Sequence, residues 1–123
     1  MNEFIGEGNL GQEPDLRTVT REGESDSVVN LRIYFDRPVP DAEGKFEDRK
    51  GFWLNVEVWG DRARQVARLC PKGSRLAVIG SLMDDSYETD GGTVAALSVR
   101  ARRVYLVPNA KMDSVHYGKD AAA

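Results

Sequence analysis

Cysteine and histidine are almost missing from this 123-residue chain, which has one of each, Cys70 and His116. A lone thiol cannot close an internal disulfide. No Cys or His stands near it at metal-ligand spacing, which suits a reducing compartment and a buried, inert thiol at a helix end. His116 has no evident nucleophile or carboxylate partner, and no Ser, Cys or Gly-rich catalytic motif takes its place, so an enzyme is not expected. Membrane-length apolar runs are absent, as is the charged and apolar pattern of a signal peptide at the N-terminus. Neither membrane association nor secretion is expected, and the cytoplasm is the expected location. Internal repeats are absent. Excess positive charge is also lacking: 17 Lys and Arg against 20 Asp and Glu leave a net charge of −3. That is not the bulk signature of a nucleic-acid binder, so the distribution of the basic residues matters more than their sum. No cofactor and no metal are expected.

What is present is short-range alternation. With 41% hydrophobic residues the chain can bury one modest core. Val29, Leu31, Ile33 and Phe35 alternate with Asn30, Arg32, Tyr34 and Asp36, the period of a strand with one buried face. A strand at Trp53 to Trp59 follows. Between them, Arg37 to Gly51 carries Pro38, Pro40, the turn signal Asp41-Ala42-Glu43-Gly44 and the basic residues Lys45, Arg49 and Lys50, which predicts a long, mobile hairpin tip. Asp61 is placed to cap a short helix in which Ala63, Val66, Ala67 and Leu69 or Cys70 recur at helical spacing, ended by Pro71-Lys72-Gly73. Leu76, Val78, Gly80 and Leu82 resume alternation. After an Asp90-Gly91-Gly92 turn, Leu97, Val99 and Ala101 alternate with Ser98, Arg100 and Arg102 in a final long strand. With a short apolar stretch at Phe4 and Ile5, the order is strand, strand, strand, helix, strand, strand. This is the order of an all-β OB-fold, a five-stranded Greek-key barrel with one short helix between strands 3 and 4. The domain is expected over residues 1–108, with 109–123 a short, frayed tail.

The third of these strands carries the strongest chemical signal. Alternation puts Leu54, Val56 and Val58 on one side and Trp53, Asn55, Glu57 and Trp59 on the other. If the aliphatic side faces the core, two indoles lie outside, next to Arg32 and Tyr34 of the preceding strand. Exposed indoles are uncommon unless a partner covers them. Single-stranded nucleic acid fits such a face, because bases stack on rings while Arg and Lys meet phosphates. A protein partner covering the same aromatics is the alternative, an OB-fold interaction module of a primosome-like or regulatory assembly. Arg100 and Arg102 alternate onto one side and form either a phosphate track or a solvated strand face. Arg62, Arg64 and Arg68 of the helix are expected to face solvent. The acidic residues Asp84, Asp85, Glu88 and Asp90 either hold Mg2+ or form a solvated hairpin tip; their position before a Gly-Gly turn favours the tip.

Five ordered segments resemble the bacterial single-stranded DNA-binding protein family. They are Gly8-Asn9-Leu10-Gly11-Gln12-Glu13-Pro14-Asp15-Leu16-Arg17, Val29-Asn30-Leu31, Trp53 to Gly60, Pro71-Lys72-Gly73-Ser74 and Gly80-Ser81-Leu82. The resemblance runs from about Phe4 to Pro108. The first of these segments leaves a strand, turns on Gly8 and Gly11 and crosses an extended Glu13-Pro14 step. The resemblance implies non-catalytic, largely sequence-independent coating of single-stranded DNA in replication, recombination or repair. It implies stacking roles for Trp53, Trp59 and Tyr87 and a basic role for Lys72. It also implies a homo-oligomer, a tetramer or a dimer, in a bacterial cytoplasm, associated with the nucleoid or a mobile element. Two departures stand out. Arg37-Pro38-Val39-Pro40 lies where the family has an aromatic near the hairpin base, and Asp84 and Asp85 lie where basic or polar residues are commoner. The end, Lys119-Asp120-Ala121-Ala122-Ala123, has no acidic and apolar tip, so recruitment of repair enzymes through the tail is not expected.

Overall fold

Strands with one aliphatic face need that face shielded, and this chain shields it by curling one sheet on itself. The computed structural model describes residues 1–118. In chain order the elements are β1 (Phe4–Leu10), β2 (Asp15–Arg21), β3 (Glu24–Phe35), β4 (Pro38–Pro40), β5 (Phe46–Asp48), β6 (Phe52–Trp59), α1 (Asp61–Leu69), β7 (Arg75–Asp84), β8 (Tyr87–Thr89), β9 (Gly92–Val94) and β10 (Leu97–Val107). The main sheet has the order β1-β7-β10-β6-β3-β2 and closes where Asn9 and Leu10 of β1 meet Tyr34 and Ile33 of β3. With β1 and β2 taken as two halves of a broken first strand, this is the expected five-stranded OB-fold barrel, with α1 between its third and fourth strands. β10 runs parallel to β6, and its neighbour on the other side, β7, is antiparallel. No helix among the described residues is long and apolar enough to cross a membrane.

The alternation works as the sequence implies. Val29, Leu31, Ile33, Leu54, Val56, Val58, Leu76, Val78 and Val99 are buried together, and Ala63, Val66 and Cys70 of the α1 region join the same core. Each fully buried aliphatic contributes roughly 1.5–3 kcal/mol relative to exposure. Burial also pushes the Cys70 thiol pKa up, so the inert reading of this residue stands. Arg75 ties three strands at the barrel edge, donating to Glu7 of β1 at 2.8 Å and to Asp36, just past β3, at 2.6 Å.

Several local expectations change. Gly8 is not a turn: it lies within β1, where a Cβ would come within 2.2 Å of the Tyr34 carbonyl oxygen. The break comes after Leu10, and Gly11 allows a close approach there, since a Cβ on it would meet the Trp53 ring at 2.5 Å. Gly60 occupies the helix cap with no side-chain hydrogen bond, and Asp61 instead pairs with Arg64 one turn on. The Arg37–Gly51 segment is a two-stranded ribbon. β4 pairs with β5, and the Asp41 carboxylate accepts from the Glu43 and Lys45 N–H groups at 2.8 and 2.9 Å across its turn. In β10, Leu97 is 54% exposed while Ser98 is buried, because Leu97 pairs with Asp84 at the strand end. A bulge between Ala101 and Arg103 then shifts the alternation, turning Val104 toward the core. Residues 109–118 form no strand. They line a groove of about 670 Å³ with Leu69, Lys72 and Leu106. The Lys119 to Ala123 end lies outside the described residues.

Candidate nucleic-acid interface

Pairing of β3 with β6 sets the outward side chains in rows. Tyr34 lies opposite Trp53, Arg32 opposite Asn55 and Asn30 opposite Glu57, and Val28, on the same side but buried, lies opposite Trp59. β10 adds Arg100 to the Asn30–Glu57 row. Each tryptophan is gripped without being covered. Trp53 is 47% exposed, with the Tyr34 ring centroid 5.2 Å from its own and the Arg32 guanidinium 5.6 Å from its ring. Asn55 fixes that guanidinium by accepting at 3.2 Å. Trp59 is half-buried, with the Arg100 guanidinium 5.2 Å from its centroid. Glu57 holds both partners, accepting from the Trp59 indole N–H at 3.0 Å and from Arg100 Nε at 2.8 Å. Cation–π contacts of this kind contribute about 0.5–1 kcal/mol at exposed sites, enough to bias ring orientation and weak enough to yield to a ligand.

The ribbon is latched to this face. The Tyr34 hydroxyl donates to Asp48, which also accepts from the Arg37 N–H at 2.8 Å. The Tyr34 bond, then the Arg37 bond, lowers the Asp48 pKa below the ordinary carboxylate value, and the same phenol–carboxylate bond raises that of Tyr34. Lys45 and Lys50 lie exposed along this arm, whereas Arg49 is paired with Glu47. Tyr87 is 55% exposed on a second arm, the β8–β9 hairpin, opposite Val94. Register puts both arms at the same end of the barrel, since β10 starts beside β6 near Asn55 and the ribbon runs directly into β6.

Arg32, Tyr34, Trp53, Asn55, Trp59 and Arg100 thus share one face, and Lys45, Arg49, Lys50 and Tyr87 flank it on the two arms. Arg102 sits at the bulge and is held by Glu3 at 2.8 Å, so Arg100 and Arg102 are divided between two carboxylates and form no single track. Lys72 lines the groove beside the C-terminal segment, its backbone N–H donated to Glu13 at 3.1 Å. Of the helix arginines expected to face solvent, Arg62 donates to the Arg102 carbonyl and Arg64 to the Ser27 hydroxyl. Asp84 is engaged in its own turn by the Ser86 N–H, and no three His, Cys, Asp or Glu side chains among the described residues gather to hold a metal.

Three contributors were not singled out from sequence. Phe46 is 72% exposed on the ribbon; its signal was an aromatic alone among charges in Lys45-Phe46-Glu47-Asp48. Glu57 was placed outside, but its role in setting Trp59 and Arg100 needed the cross-strand register. β2, whose outward residues Asp15 and Arg17 widen the face beside the Glu57 and Trp59 rows while Val19 and Arg21 extend it past Trp59, has too little apolar content to announce a strand.

Residues 1–107 match the model of the single-strand binding protein family. A protein named single-stranded DNA-binding protein B from Bacillus subtilis is 32% identical over 91 residues, which cover 74% of this chain and 75% of that protein. The single-stranded DNA-binding protein of Oceanobacillus iheyensis is 31% identical over 105 residues, 85% of this chain and 62% of the relative. That of Corynebacterium glutamicum is 37% identical over 86 residues, 69% of this chain and 37% of the relative. The chain spans about half the length of several such relatives. Among solved structures, the small single-stranded DNA-binding protein from Streptomyces coelicolor superposes with a TM-score of 0.75 at 16% identity, covering 87% of this chain and 96% of the other, a likeness of fold.

Proposed function

This chain belongs to the single-strand binding protein family, and from that membership we propose that it binds single-stranded DNA, without catalysis, across the outer face of β3, β6 and β10. One observation carries the reading: Trp53, 47% exposed, and Trp59, partly buried, share the outer face, each with a guanidinium on its ring. Bases stack on Trp53, Tyr34 and Trp59, while Arg32 and Arg100 exchange their protein contacts for phosphates. Lys45, Lys50 and Arg49 on the ribbon, Phe46 at its turn and Tyr87 on the second arm extend the path. Lys72 and Arg102 are peripheral, each adding charge near an end of the barrel. Stacking is tolerant of sequence, so coating of strands exposed in replication, recombination or repair is the matching role in a bacterial cytoplasm.

A second outer face supports self-association. Ile5 lies opposite Ile79, and Ala77 opposite Tyr105, forming an aliphatic patch in which Ile5 is 70% and Tyr105 50% exposed. Copies of the chain meet through this patch, as a dimer or as a tetramer of two dimers. This leaves the aromatic faces pointing away from the contact.

Competition binding at several salt concentrations tests the function. A single-stranded oligonucleotide displaces a labelled probe far better than the duplex of the same sequence, and log affinity falls against log salt with a slope of about −0.7 per phosphate neutralised. Equal competition by duplex, or no binding at low salt, overturns the proposal.

A further inference from the structure

We propose that the cleft beside Trp59 is a base pocket selective for guanine. The inference rests on the outer face being a single-strand surface and adds a preference that stacking alone does not supply. The cleft is an open depression of about 440 Å³ lined by Trp59 and Arg100 and, from the β2–β3 hairpin, by Arg21, Glu24, Ser25 and Asp26.

Its composition follows from register. The β2–β3 hairpin runs past the end of β6, pairing Val19 with Asp26 and Arg21 with Glu24. These positions share the parity of Val28, which lies opposite Trp59, so the four side chains continue that side of the sheet as two successive rows beyond the tryptophan. One wall is the Trp59 ring, on which a base stacks once Arg100 has exchanged it for a phosphate. The other wall is unsuited to a phosphate, because Glu24 and Asp26 put two carboxylates there.

Glu24 and Arg21 have no side-chain hydrogen bond or ion pair among the described residues. Asp26 spends Oδ1 on the Ser27 N–H at 2.8 Å, which leaves Oδ2 without a hydrogen-bond partner among the described residues. A base that enters therefore meets acceptors, with one cationic donor beside them.

Carboxylates discriminate bases by their donors. On its pairing edge guanine presents N1–H and the 2-amino group side by side, matching the two oxygens of one carboxylate, and its O6 acceptor next to them suits Arg21. Thymine offers a single imino donor between two acceptors. Adenine and cytosine each offer one amino group beside a ring-nitrogen acceptor that a carboxylate repels. Matched bidentate contacts are what let a protein tell one base from another.

The test uses the whole chain and oligo-dT strands carrying one central substitution, compared by anisotropy competition. One guanine is expected to tighten binding about tenfold over unsubstituted dT, in the range of a bidentate base contact. Adenine and cytosine give no gain. Inosine, which keeps N1–H and O6 but lacks the 2-amino group, loses most of the gain, whereas 7-deazaguanine keeps it. The double variant Glu24→Gln, Asp26→Asn abolishes the preference, and having less negative charge it binds dT more tightly than the native chain. Guanine within twofold of dT, or a preference that survives the double variant, overturns the pocket while leaving the interface standing. Failure of every oligomer to bind overturns the interface, and the pocket with it.

Discussion

The barrel has two outer faces made by the same alternation and filled with different chemistry. Over β3, β6 and the start of β10 the outward side chains are Arg32, Tyr34, Trp53, Asn55, Glu57, Trp59 and Arg100, rings with guanidinium groups held on them by hydrogen bonds. Over β1, β7 and the rest of β10 they include Ile5, Ala77, Ile79 and Tyr105, with Arg75 fixed at the margin by Glu7 and Asp36. The first face can trade its internal contacts for those of a flat, charged polymer. The second has little to trade and gains only by leaving water. Period-two patterning says that a strand has an outside; the residues in each cross-strand row decide what that outside meets.

Charge on the aliphatic face breaks this comparison most strongly. Ile5 is 70% exposed, and Ile5→Glu is expected to abolish the proposed assembly and leave single chains at micromolar concentration, read by light scattering, with the circular dichroism of the barrel unchanged. Short oligonucleotides still bind each chain. An unchanged mass means that the aliphatic face does not mediate assembly.

On the other face, Trp53→Ala is expected to remove one of the proposed stacking contacts, roughly 1–3 kcal/mol or an affinity loss between about fivefold and about 150-fold, with the oligomeric mass unchanged. A loss of assembly together with affinity would mean that the two faces are not separate in function.

The smallest effect concerns the ribbon latch. Asp48 titrates below its ordinary value because Tyr34 and the Arg37 N–H bond its charged form. Its contribution is therefore complete above the ordinary carboxylate value of 3.8 and is lost only as pH falls through the lowered one. Tyr34 shifts upward, so the latch is full below about pH 10 and lost as pH rises through the raised phenol value. Asp48→Asn should bring tyrosinate absorbance from Tyr34 back toward the ordinary range, with little change in binding at neutral pH. No change in the tyrosine titration would remove Asp48 as the anchor.

How much of this could be read from the residues differs between the faces. Leu54, Val56 and Val58 against Trp53, Asn55 and Trp59 is a clean alternation, so the core and the aromatic face were both legible. The OB-fold order followed from five such segments and one short helix. The broken first strand was harder, because Gly8 looks like turn chemistry yet serves close packing against the Tyr34 carbonyl. Thr18, Val19 and Thr20 sit in a polar run that becomes a strand only because β3 offers a partner edge. Glu57 illustrates the remaining limit: nothing local says that its carboxylate will serve Trp59 and Arg100, since Arg100 arrives from a strand 43 residues away.

The central claim, that the open tryptophans are the binding surface, is tested most directly by single-tryptophan variants, Trp53→Phe and Trp59→Phe, titrated with oligo-dT while the remaining indole is followed by fluorescence. Saturable quenching of each indole is expected at low salt, with both curves reporting the same stoichiometry and both reversed by added salt. Binding confirmed by anisotropy with neither indole quenched would contradict it.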